Sequence, residues 1–175
     1  MDLNGFIALV TALAALVVAV VTYLQLKHAR FALGVDLLLK LEAQFDQPHM
    51  KVARSRAAKS LITKLRAREE LLTTDLEPVL DFFETLGLLV RRQAVHEEVA
   101  WNSFSYWLER YATLGRDQIK ARRRLESDWT YYENFEQLSN RFAVLDARKR
   151  KLKALPTLSD ELLAKFLEEE VEEES

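Results

Sequence analysis

The chain has 175 residues, no cysteine, four glycines and three prolines, and a formal net charge of −2. That composition excludes a disulfide framework and a cysteine zinc site, and it offers too little turn chemistry for a sheet-rich fold. The near-neutral total conceals opposed segments: residues 27–159 carry 24 Lys and Arg against 18 Asp and Glu, whereas residues 160–175 carry one Lys against eight acids.

Residues 3–26 are uncharged, and the apolar stretch 6–24 has about the length needed to cross a hydrocarbon core of roughly 30 Å as a helix. A secretion signal would need a basic start, a shorter apolar run and a small-residue cleavage site. Here the chain begins Met1-Asp2-Leu3-Asn4, and the run passes through Tyr23, Leu24 and Gln25 straight into Lys27, His28 and Arg30. A soluble core helix would present a polar face, yet only Thr11 and Thr22 interrupt the run. The reading is a transmembrane helix. No Lys or Arg precedes it and basic residues follow it, so the expected orientation has the N-terminus outside and the rest in the cytoplasm, at the cell (inner) membrane. Gly5, Ala8, Ala12, Ala15, Ala19 and Thr22 recur at steps of three and four, a small-residue face through which two copies could approach closely.

The next helix continues the span with little break, carries Leu33, Leu37, Leu41 and Phe45 on one stripe, and stops near Asp46, ahead of Pro48. A second helix, from Met50 to about Leu72, is basic outside Val52, Leu61, Ile62 and Leu65 and reads as largely solvent-facing. Thr74-Asp75-Leu76-Glu77 reads as a capping box opening a third helix to about Arg91, with Leu76, Val79, Leu80, Phe83 and Leu86 buried and Gly87 admitting a neighbour. A fourth starts near Val95 with Glu97 and Glu98 in its first turn and a Trp101, Phe104, Leu108, Tyr111 stripe. A later helix, from Ser127 to about Arg150, carries Tyr131, Phe135, Leu138, Phe142 and Leu145. Aromatic stripes at this spacing are packing residues.

The end, "LPTLSDELLAKFLEEEVEEES", breaks at Pro156, caps at Ser159 and forms a short amphipathic helix with Leu162, Leu163, Phe166 and Leu167 before a Glu run. Two roles stay open for it: a frayed, solubilising tail, or a segment whose Leu-Phe face docks on the body while its acids neutralise Arg122, Arg123 and Arg124 or the basic residues of 149–153. The expected fold is therefore all-α, with residues 1–26 as tail and transmembrane helix, 27–155 as a cytoplasmic helical bundle, and 156–175 as amphipathic helix and acidic tail.

The order of an apolar N-terminal helix, then "LLLKLEAQFDQPHMKVAR", "DLEPVLDFFETLGLLVRR" and "EEVAWNSFSYWLERY", resembles the bacterial membrane-associated family known as domain of unknown function 4760. The likeness covers most of residues 1–145, and its most specific part is residues 75–87 with the paired Phe82 and Phe83. It implies a topology and supplies no catalytic residues.

A direct search for chemistry assigns no catalytic, cofactor-binding or metal residue. His28, His49 and His96 stand in no paired ligand spacing, and Asp46 with His49 reads as a helix stop. Glu77, Asp81 and Glu84 share a helix face, which reads as a salt-bridged surface with Arg54, Arg56, Arg91 or Arg92 as partners. Arg91 and His96 fit the Arg-x4-His spacing of helical RNases, a pattern that chance supplies readily in a chain with 15 Arg.

The leading expectation is a non-enzymatic interaction or oligomerisation module held at the inner membrane surface, with a membrane-tethered RNase-like enzyme using Arg91 and His96 as the alternative. The expected partners are the bilayer and a protein or second copy, without nucleic acid. The cationic body, including Arg116 and Arg122, Arg123 and Arg124, is expected to be drawn to anionic lipid.

Overall fold

The computed structural model describes residues 3–153 and 155–172, with side chains from residue 11 onward, and it is all-helical among them. Seven α-helices follow in order: α1 (Leu3–Phe45), α2 (Pro48–Ala67), α3 (Glu77–Arg91), α4 (Glu97–Leu114), α5 (Arg116–Glu126), α6 (Glu133–Lys149) and α7 (Asp160–Glu172). A single 3-10 turn, Thr74–Leu76, precedes α3.

α1 is one unbroken helix of 43 residues, about 64 Å at 1.5 Å per residue. It ends where expected: Phe45 is its last residue, and Pro48 opens α2 at a position where its missing N–H costs nothing. The buried stripe differs by one position from the expected one. Gly34, Leu38, Leu41 and Phe45 face the body, Leu37 is half-buried and Leu33 is exposed. Gly34 faces α4's approach because a Cβ there would sit 2.8 Å from the Ala94 carbonyl oxygen. Phe45 is the hub of the core, its ring 4.9 to 5.7 Å from those of Phe82, Phe83, Phe104 and Trp107.

α2 is not a solvent-facing helix. Met50, Arg54, Ser55, Ala57, Ala58 and Leu61 are buried because α7 lies along it, and the helix ends at Ala67 with Arg68 in the left-handed conformation, short of Leu72. The tail is therefore no frayed end over its described part: Leu163, Phe166 and Leu167 are buried, while Leu162 is exposed. Ser159 does cap α7, its hydroxyl accepting from the Leu162 amide at 3.3 Å.

The expected capping box does not form. Thr73, not Thr74, accepts from the Asp75 amide at 3.3 Å, and the Glu77 carboxylate turns to α5 instead of reaching back. α3 buries Val79, Leu80, Phe82, Phe83, Leu86 and Gly87 against α6. A Cβ on Gly87 would run into the Asn134 carbonyl, backbone that has no freedom to move aside. Gly87→Ala is expected to destabilise the bundle by about 1–3 kcal/mol, read from thermal melting, despite alanine's better helix propensity.

Residues 112–132 depart most from expectation. α5 occupies 116–126, with only Gln118 and Ile119 buried, and α6 starts at Glu133 instead of Ser127. Two left-handed residues, Ser127 and Tyr132, turn the chain between them. Phe135, Leu138, Phe142 and Leu145 are buried as expected, with Tyr131 half-buried.

Candidate functional site

From residue 11 to residue 33 every side chain of α1 is exposed, Leu13, Leu16 and Val18 each by more than 60%. Residues 11–26 alone present roughly 750 Å2 of lateral helix surface, above the few hundred Å2 that soluble monomers expose as one apolar patch. This helix is long and apolar enough to cross a membrane. No other described element covers the segment, so it is not a core helix of this bundle. On the small-residue face, Ala12, Ala15, Ala19 and Thr22 are all exposed, while the side chains of Gly5 and Ala8 lie outside the described residues.

Directions within the body follow from contacts along α1. Gly34 meets the link before α4, and Phe45 meets Phe104 and Trp107 well inside α4, so the two helices run the same way. α3, joined to α4 by that short link, runs the opposite way. The α3–α4 link thus sits at the end nearest the apolar half of α1, and α5, which follows the far end of α4, sits at the opposite end. Arg122 there is held by Glu77 at 3.1 Å and Glu126 at 3.2 Å, and Arg123 by Glu136 at 2.6 Å. The three-arginine run is therefore remote from the apolar stalk, and two of its members are engaged by acids of the body, not by the tail.

The carboxylates of α3 are structural, but their partners are not the expected arginines. Glu77 accepts from Gln118 and Arg122, and Glu84 caps α6 by accepting from the Asn134 side chain at 2.6 Å and the Phe135 amide at 2.7 Å. Asp81 accepts from the Tyr132 hydroxyl at 3.1 Å. Burial, followed by the nearby Asp81 carboxylate, pushes the Tyr132 phenol well above its ordinary range, so it remains a donor. Burial also raises the Asp81 carboxyl above its ordinary 3.8, against the opposing Tyr132 hydrogen bond. A carboxyl held above its unfolded value costs stability once ionised, and that cost is relieved as the pH falls through the raised value. Asp81→Asn should melt at the same or a higher temperature at pH 7, with the difference shrinking as the pH approaches about 4.

The histidines form no site. His28 and His49 are exposed, and His96 precedes the first turn of α4 with its ring 6.5 Å from Phe31 in an edge-on contact. Arg91 pairs with Glu133 at 3.6 Å. His96 lines a surface cavity of about 430 Å3 with Glu97, Arg141, Val144 and Arg148, of which Arg91 is no part. Asp46 is exposed with His49, and no group of three potential metal ligands occurs among the described residues. A larger cleft of about 770 Å3 lies between α4 and α6, floored by Trp101, Leu108, Phe135 and Phe142.

The most deeply buried charged group is one that sequence reasoning missed. Arg54 is 1% exposed and stacks on the Phe45 ring at 4.4 Å, with its Nε 3.3 Å from Glu170. Glu170, at 4% exposed, also accepts from the Trp107 indole and the Tyr111 hydroxyl, each at 3.0 Å. The signal was present in the spacing. Arg54 interrupts the stripe Met50, Ala57, Leu61, and Glu170 continues the stripe Leu163, Phe166, Leu167.

An apolar helix that runs unbroken into the hub of an all-helical body defines the class: a helical bundle carried on its own apolar stalk. Residues 7–142 match the family model described as Domain of unknown function (DUF4760), and the chain belongs to that family. The match stops within α6, so α7 and its buried Glu170 lie beyond it. No curated protein and no solved structure matches the chain.

Proposed function

We propose that the chain is a single-pass membrane protein in which the exposed apolar part of α1 crosses the bilayer and the helical body stands in the cytoplasm as an interaction module, N-terminus outside. The observation that carries this reading is the division of one helix: residues 11–33 are bare, while Gly34, Leu38, Leu41 and Phe45 are sealed into the core. Lys27 and Arg30 at the inner boundary support the orientation by the positive-inside bias. Because no break separates the two halves, the body has a fixed height and rotation relative to the bilayer, a geometry suited to presenting one surface to lipid or to a second copy. The small-residue face at Ala12, Ala15 and Ala19 would let the stalks pair. Cross-linking in native membranes tests the pairing: Ala12→Leu with Ala15→Leu should reduce a dimer band. An unchanged band would remove self-association through this face from the proposal.

A further inference from the structure

The junction between stalk and body selects the surface that meets lipid. Lys27 ends the uncharged run, and Gly34, where the body first touches α1, lies seven residues on, about 10 Å of helical rise. That is a little over the Debye length of about 8 Å at physiological ionic strength, so the headgroup field at this end of the body is screened but not abolished, and basic side chains that extend toward the bilayer enter its range. The surface there is built from the α3–α4 link and the outer side of α6. Arg91 ends α3 and the link carries Arg92 and His96; His96 meets Phe31 edge-on and shares its cavity with Val144 and Arg148 of α6.

Acids next to the junction are engaged: Asp36 pairs with Lys40 at 2.7 Å, Glu97 with Arg141, and Glu98 with Lys149 at 3.3 Å. The surplus is cationic: Arg92, Arg148 and Lys151 are exposed and make no ion pair among the described residues. Between them stand two exposed apolar side chains, Val144 at 71% and Leu152 at 46% exposure. Cations flanking exposed aliphatic groups are what an anionic bilayer interface recognises.

We infer that this end of the bundle docks on the bilayer that α1 crosses, with Arg92, Arg148 and Lys151 against anionic phospholipid headgroups and Val144 and Leu152 entering the interface. The inference rests on α1 spanning that bilayer. The test uses the full chain in vesicles of phosphatidylcholine, with and without phosphatidylglycerol. Because the sequence lacks cysteine, V144C accepts a single environment-sensitive fluorophore, and L125C, 73% exposed at the far end, serves as the reference. The V144C label should shift to the blue and be quenched by a lipid-phase quencher only when phosphatidylglycerol is present. The L125C label should report water throughout, and R92E with R148E and K151E should abolish the V144C shift. A chain that resists carbonate extraction while its V144C label reports water in both vesicles overturns this inference alone. A chain that carbonate strips from both vesicles overturns the anchoring reading and this inference with it.

Discussion

Glu170→Ala should lower the melting temperature of the bundle by roughly 6–20 °C, the equivalent of about 3–5 kcal/mol in a chain of this size. The physical reason is what the substitution leaves behind. Arg54 would stay in the core, 1% exposed over the Phe45 ring, without the Glu170 carboxylate beside it, and the Trp107 indole and Tyr111 hydroxyl would no longer donate to that carboxylate. Burying a charge is tolerable when it is paired and hydrogen-bonded, and severe when it is not. The double variant R54M/E170L removes both charges and keeps the volume apolar, so it should recover most or all of the loss. Trp107 donates to Glu170 directly, which makes its fluorescence the natural readout in detergent, where the helicity of α1 would mask part of the transition. Equal melting of the native and E170A chains would mean that α7 does not close the core in solution.

Leu16→Arg with Val20→Arg should remove the chain from the membrane fraction. Both residues are at least half exposed on α1, one turn apart and clear of the body. In water two arginines on a bare helix are close to neutral for stability and improve solubility. In the middle of a bilayer each costs about 2.5–3.5 kcal/mol, so the pair shifts insertion by roughly four orders of magnitude. The variant should appear in the soluble or aggregated fraction while the environment of Trp107 stays native, since the bundle contacts neither position. Retention in carbonate-washed membranes would contradict the span.

Much of the fold was legible because it depends on local rules. The end of α1 at Phe45 follows from Pro48, and the aromatic stripes of α3, α4 and α6 were recovered from helical periodicity. The misses have distinct causes. α5 buries only Gln118 and Ile119, too little to leave a stripe, and the turn from Ser127 to Tyr132 uses left-handed residues that are not glycine, its Ser127-Asp128 pair, with Asp128 accepting from the Thr130 amide at 2.8 Å, reading locally as a helix start. The cap lies on Thr73 and not Thr74 because a 3-10 turn, Thr74–Leu76, precedes α3 and takes Thr74 as its first residue, which the Thr-x-x-Glu pattern does not reveal.

The site was legible only in part. The bare apolar helix follows from composition alone. The location of the basic surface does not, because a run of three arginines looks like a patch until Glu77, Glu126 and Glu136 are found around it. Read locally, Arg54 is a surface partner for the α3 carboxylates and Glu170 one acid in a Glu run, because both sit among other charges in the sequence. Only the packing of α7 on α2 brings them together, and no local rule links two helices so far apart in the chain.

The central claim is that one rigid helix crosses the membrane and holds the body inside. Because the chain has no cysteine, single substitutions at its two ends can be labelled without background. In intact cells, a membrane-impermeant maleimide should label N4C at once and label L125C only after the membrane is opened. Labelling of L125C from outside, or of N4C only after lysis, would contradict it.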